Sequence, residues 1–418
     1  MQPFSALAIL KEGLIGQAGW RRHWRKARPK PAYDVVIIGG GGHGLATAYY
    51  LSRRHGITNV AVVERGWIGG GNTGRNTTIV RSNYRVGANP PFYEHALQLW
   101  EGLSRELNFN VMFSQRGVLN LAHSPGQMDS YAERGNAMRL HGIDAELLDR
   151  DGVAALAPML DFSGQARFPI VGGLLQPRAG TARHDAVTWG YARAADALGV
   201  DIIEACEVTG IIVDGGRVRG VETNLGRIAA DKVGVAVAGH SSQVMAMAGL
   251  RLPIESHVLQ AFVTEGLKPM LDTVVTYGAG HFYISQSDKG GLVFGGDLDG
   301  YNSYAQRGNL PLVSDVCSNA MAMMPSVGRL KVLRSWGGVM DMTMDGSPII
   351  AKTRVTGLYL NGGWCYGGFK ATPGSGWVFA HTIAEDTPHP LNECFSLERF
   401  ATGHLIDERG AGPVPGHQ

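Results

Sequence analysis

Tyr33–Glu64 reads YDVVIIGGGGHGLATAYYLSRRHGITNVAVVE, and the fold is decided there. Val35–Ile38 is an unbroken apolar run, too short for a helix and rich in β-branched residues, which predicts a buried parallel strand. Gly39-x-Gly41-x-x-Gly44 follows at once, and then a helical pattern through Leu45, Ala48, Tyr49 and Leu51. A second apolar run, Val60–Val63, ends on Glu64. Strand, glycine turn, helix, strand and terminal acid make one βαβ unit of the dinucleotide-binding kind. Gly39 permits the tight turn, Gly41 lets the backbone approach a pyrophosphate, and Gly44 lets helix and strand pack closely. Gly42 and His43 fall in the first turn of the helix, whose unpaired N–H groups suit an anion. Glu64 is placed to accept hydrogen bonds from ribose hydroxyls. The motif by itself fits FAD and NAD alike.

The 418 residues, 44% hydrophobic and 18% charged, suffice for a sizeable core in two intimately joined domains. A net charge of +2 gives no electrostatic pull toward nucleic acid. The four cysteines form no C-x-x-C pair, so neither a disulfide framework nor a metal site is signalled, and a cytoplasmic location is the default expectation. No apolar run reaches eighteen residues, so no membrane span is expected.

Outward from the glycine turn, residues 1–32 form an N-terminal arm. Its apolar segment Phe4–Ile15 precedes a cluster of basic residues, the reverse of a secretory signal. Two readings stay open for it: a surface arm of the nucleotide domain, or an arm that docks on a partner subunit through Trp20 and Trp24. After Glu64, the loop RGWIGGGNTGRNTTIVRSNYR leaves the carboxyl end of a strand, where ligands sit. Arg65, Gly71, Asn72 and Thr77 are its candidate cofactor contacts, and Arg81 its candidate partner for an anionic ligand. Residues 92–110 read as a helix, Ser114–His123 as a strand and 125–160 as two helices. His184 opens a helix ending near Gly199. Asp214-Gly215-Gly216 marks a hairpin, and Val233–Ala238 returns to the nucleotide sheet before Gly239. Residues 252–340 alternate as an antiparallel lid, with His281 and Tyr283 able to line a cavity. A second glycine-rich loop, with Gly362, Gly363, Gly367 and Gly368, leads through Phe369 and Lys370 into a helix from Pro373.

These parts predict an α/β chain: a Rossmann-like dinucleotide-binding domain with a mostly antiparallel substrate domain inserted. The expected boundaries are 33–90, 160–250 and 341–400 for the first, 91–159 and 251–340 for the second, and 401–418 as a tail.

GGGGHGLATAYYL, GRNTTIVRSNY, SQRGVLNLAH, the RHD around His184, DGSPII and GGFKATPGSG resemble the β subunits of heterotetrameric sarcosine oxidases. These belong with the FAD-dependent amine oxidoreductases that include glycine oxidase and D-amino-acid oxidase. The resemblance runs from Tyr33 to LERFATGHLIDERGA. It implies non-covalent FAD in the dinucleotide fold and an FMN bound covalently through His184. It also implies sarcosine as substrate, O2 as acceptor, and α, γ and δ subunits as partners, with NAD and folate on α. The substrate carboxylate then needs Arg81 or Lys370, and Tyr283 and His281 would form the pocket wall. Cys365 and Tyr366 depart from the smaller residues of relatives and would reshape the pocket. The alternative is a single-chain FAD-dependent oxidase or dehydrogenase of dimethylglycine, glycine or proline without FMN. A third reading is a non-catalytic FAD-binding partner.

Overall fold

The computed structural model describes residues 5–18, 22–277 and 282–407. Ala32–Ile38 lies in the middle of the first sheet, parallel to Val60–Val63 on one side and to Gly226–Val235 on the other. Successive side chains of a strand point to opposite faces, and this strand uses both. Val35 and Ile37 join a core with the helices Gly42–His55, Asn89–Glu106, His184–Ala197 and Thr372–Glu385. Val36 and Ile38 join a second core with Val218, Val221, Val233, Leu358 and Leu360. Burial on both faces is why the run is continuously apolar rather than alternating. Gly226–Val235 is long enough to serve two neighbours. Its first half pairs antiparallel with Arg217–Thr223 of the expected hairpin, and its last residues pair parallel with Leu358–Gly362.

Among the described residues the second sheet has eight strands, in the order Val332–Met342, Glu255–Gly266, Gly291–Leu298, Phe282–Gln286, Val274–Tyr277, Val118–Ala122, Gly172–Gln176 and Glu146–Asp149. All its pairings are antiparallel except that of 274–277 with 118–122. The expected architecture, a parallel nucleotide sheet with a largely antiparallel companion, is the one present.

Several boundaries differ from expectation. The 89–106 helix, expected with the second domain, packs in the helical core of the first, where Phe92, Tyr93, Leu97 and Trp100 are fully buried. Gly172–Gln176, expected with the first, is a strand of the second sheet. Between the helices Pro125–Leu140 and Arg150–Leu156 lies a short strand, Glu146–Asp149, where only helix was expected. A helix also occupies Leu310–Met323, inside the stretch read as strands. Asn309 caps it by accepting the Leu312 N–H at 3.0 Å, and Val316, Ala320 and Met323 bury against Phe262, Phe282 and Phe294.

Within the arm, Ala6–Leu14 is a helix with no buried residue. Beyond it, Trp24 packs on the first core, and Arg25 and Lys30 pair with Asp196 and Asp201 at 2.8 Å each, so the basic segment is held by its own domain. Trp20 lies outside the described residues. At the other end, Arg399 grips Asp345 with two hydrogen bonds, 2.7 and 3.0 Å, in a pair that is almost fully buried. That contact fixes the turn after Val332–Met342 to the C-terminal segment. Among the described residues no helix is long and apolar enough to cross a membrane.

Candidate functional site

A cavity of about 680 Å³ runs from the glycine turn to the face of the second sheet, within the usual size range of small-molecule sites. Gly39 (φ +112°) makes the turn in a conformation that favours glycine, and a Cβ on Gly44 would stand 2.0 Å from the Gly39 carbonyl oxygen. Gly39 therefore makes the tight turn, and Gly44 the close strand–helix contact, expected of them. Gly41 and Gly42 line the cavity at the start of the 42–55 helix. Glu64 lines it too, its carboxylate accepting the Gly40 and Gly66 N–H groups at 2.9 Å each. Arg65, Gly71, Asn72, Thr77, Gly239, Gly368 and Phe369 also reach the wall. Asn72 has a structural duty as well, since its side chain bonds both the N–H and the C=O of Val339, tying the first glycine loop to the second sheet.

His43 joins the two glycine loops. Its ring nitrogens lie 2.6 Å from Ser375 Oγ and 2.8 Å from the Gly368 carbonyl oxygen. Asn361 donates to the same Ser375 hydroxyl, and Trp364 donates to Asn361. Burial pushes the His43 pKa down to about 4, against the raising effect of the Gly368 and Asn361 contacts, so the imidazole is neutral. Nε2 then carries the proton toward Gly368, and Nδ1 accepts from Ser375.

Arg81 and Lys370 both line the cavity. Arg81 sits over the Tyr84 ring and donates to Asn83. Lys370 is 7% exposed, and its ammonium donates to the Tyr366 carbonyl oxygen. Burial holds the Lys370 pKa well below its ordinary value, and the Arg81 charge pushes the same way. Tyr283 is on the wall, its phenol pushed up to about 12 by burial. His281 lies outside the described residues.

Four expected contacts fall elsewhere. Gly362, Gly363 and Gly367 do not line the cavity; a Cβ there would stand 2.8 Å from Ser241 Oγ, 2.6 Å from Thr343 Cγ2 and 1.9 Å from the Tyr93 hydroxyl respectively. Neighbouring side chains, rather than a ligand, demand those glycines. His184 also lies outside the cavity, half-buried in the first turn of its helix, with no hydrogen-bond partner on Nδ1 among the described residues. Burial lowers its pKa, Asp185 opposing and Arg183 assisting.

Sequence reasoning missed Asp341, which lines the cavity from the end of Val332–Met342 at 2% exposure. The one available signal was an acid inside the apolar alternation GGVMDM. Cys365 and Tyr366 line the cavity as expected.

Residues 34–382 match the family described as FAD dependent oxidoreductase. The chain is 65% identical over 412 residues to a sarcosine oxidase subunit beta of Rhizobium meliloti (strain 1021), covering 99% of each. It is 52% identical to a protein of the same name from an Arthrobacter species, over 94% of this chain and 96% of that one. Its fold is similar to that of L-proline dehydrogenase from P. horikoshii, with a TM-score of 0.84 and 27% identity over 90% of this chain and 100% of that one.

Proposed function

The chain belongs to the FAD-dependent oxidoreductases and, within them, to the sarcosine oxidase β subunits; from that premise we propose that it oxidises the N-methyl group of sarcosine as one subunit of a larger complex. It is an FAD-dependent amine oxidoreductase. The observation that carries the reading is the pair of cations, Arg81 and Lys370, in the same cavity as the glycine turn. Non-covalent FAD fits that cavity: Gly39 to Gly42 present no Cβ to block it, and Glu64, Arg65 and the loop from Gly71 to Thr77 surround it.

The cavity residues would hold FAD, which would supply the hydride acceptor, and His184 would carry a covalent FMN as relay to O2, the products being H2O2, glycine and either formaldehyde or methylene-tetrahydrofolate. His184 suits a covalent linkage, because burial favours the neutral imidazole and Nδ1 has no hydrogen-bond partner among the described residues. Its place outside the main cavity suits a group separate from FAD. The chain's own residues position the substrate. Arg81 offers a paired donor to the carboxylate. Burial disfavours the Lys370 charge, and a substrate carboxylate beside it favours that charge again. Tyr283 and Tyr366 wall the site, and neutral His43 holds the Gly368 backbone in place. The partners in this reading are α, γ and δ subunits, with NAD and folate on α.

Anaerobic sarcosine should bleach the flavin of the purified complex, and mass spectrometry should find a flavin on the His184 peptide. In the second reading, a single-chain enzyme without FMN, the fold shared with L-proline dehydrogenase supports proline as the substrate. Reduction by proline but not sarcosine, with an unmodified His184 peptide, would establish it instead.

A further inference from the structure

Resting on that reading, the structure assigns the amine end of the substrate to Asp341. We propose that Asp341 Oδ2 receives the substrate ammonium and takes its proton, leaving the neutral amine from which hydride departs. In this step an N–H bond breaks, an O–H bond forms on the carboxylate, and the nitrogen regains its lone pair. No other reactant is needed.

A carboxylate nearly sealed from water is ordinarily paired or fully hydrogen-bonded. Asp341 is 2% exposed, yet its Oδ2 has no hydrogen-bond partner among the described residues, and Asp341 lines the cavity. The backbone N–H groups of Gly363 and Trp364 favour its charged form without neutralising it, and burial still lifts its pKa to about 6. Its main chain is locked: the carbonyl accepts the Cys365 N–H at 2.9 Å, and the residue stands opposite Ser256 in the second sheet. Lys370 bonds the carbonyl of Tyr366, the very next residue after Cys365. Cation and carboxyl thus border the same short loop, as the two ends of a zwitterionic amino acid require.

The neighbouring titratable groups are unsuited to the task, beginning with His240 on the dinucleotide side, whose two ring nitrogens are engaged by Arg65 and Gln243. Glu64 and Glu207 are the other acids on the wall. Glu64 is committed to two backbone N–H groups beside the glycine turn, and Glu207 lies next to Cys206 on the same dinucleotide side. Both nitrogens of His43 are engaged. Burial pushes the Cys365 thiol and the Tyr283 phenol up to about 12, and the Tyr366 phenol well above its ordinary value. Asp297, which acts electrostatically on Tyr366, does not line the cavity. Lys370 gives up its proton readily, but it shares the carboxylate end with Arg81 and is occupied by the Tyr366 carbonyl.

The test uses the flavin-loaded complex as purified. In the unaltered complex, anaerobic reduction by sarcosine should slow as pH falls through about 6, the range set by Asp341. Asp341→Asn should remove that dependence and slow reduction at pH 8 by about a hundredfold, at the lower end of general-base contributions. Binding of methoxyacetate, which has the carboxylate but an ether oxygen in place of the ammonium, should change by less than about threefold on the scale where tenfold is 1.4 kcal/mol. Equal reduction rates in the two proteins, or a matching loss of methoxyacetate binding, would overturn the assignment. Should the variant fail to assemble, the unaltered complex still decides: a reduction rate flat across that pH range refutes the proposal. A complex that sarcosine never reduces refutes the substrate reading itself, and the two failures are thereby told apart.

Discussion

Replacing Lys370 by methionine should strengthen the empty protein and weaken its grip on substrate. The side chain is 7% exposed, and burial outweighs everything else in lowering its pKa. In the unfolded chain a lysine titrates near 10.4 and is protonated at neutral pH. The folded chain therefore binds fewer protons than the unfolded one between the lowered pKa and about 10.4. Across that window stability rises with pH, by about 1.4 kcal/mol for each step of one in pH, and the penalty is largest at the acid end. Lys370→Met removes the penalty while keeping most of the buried stem. Its melting temperature should exceed that of the unaltered protein, by more at pH 7 than at pH 10. Ligand binding should move the other way. A hydrogen bond to a charged group contributes about 1.5–3 kcal/mol, so affinity for methoxyacetate should fall roughly ten- to a hundredfold. Thermal melts at several pH values and titration of the flavin absorbance read the two effects separately. A variant that melts lower at every pH, or binds methoxyacetate undiminished, would refute the picture of Lys370 as a desolvated cation facing the substrate carboxylate.

His184→Ala should retain FAD and lose the acid-stable flavin; a covalent flavin surviving acid precipitation of this variant contradicts the attachment. Arg399→Met leaves Asp345 buried without its partner and should cost about 3–5 kcal/mol, visible in denaturant midpoints. Burial raises the Asp345 pKa, but the bonds and charge of Arg399 together with the Ile406 and Ser347 N–H groups outweigh it and hold the group low. The pair's contribution is therefore present at neutral pH and lost as the medium is acidified below the ordinary carboxylate range, which a melt series should display. Gly44→Ala would place a methyl 2.0 Å from the Gly39 carbonyl oxygen. It should destabilise by at least the roughly 1–3 kcal/mol typical of overpacking and yield protein depleted in FAD by absorbance.

The parallel core was legible because its signals are local. Val35–Ile38, the glycines and Val60–Val63 lie within one βαβ unit, and each does in the fold what its chemistry dictates. The Leu310–Met323 helix was missed although Asn309 and Pro311 announce it, because the strands around it dominated the pattern. The second glycine loop was read half correctly. Gly368 and Lys370 reach the cavity, whereas Gly362, Gly363 and Gly367 answer to Ser241, Thr343 and Tyr93. A glycine looks the same in sequence whether a ligand or a neighbouring side chain excludes its Cβ. Asp341 was overlooked for a related reason. Its burial is set by pairing with a strand more than eighty residues earlier in the chain, a distance no window of sequence spans.

The hydrogen-bonded chain from Trp364 through Asn361 and Ser375 to His43 sets a schedule for biosynthesis. The first glycine turn leaves the ribosome early, but the loop and helix that clamp it come more than three hundred residues later. Until then the nascent chain carries half of a binding site. Pairings so distant in sequence form slowly, so flavin capture must wait for near-complete translation. A chain that terminates before Thr372 never acquires the clamp, and its exposed helical core becomes a substrate for chaperones and proteases instead.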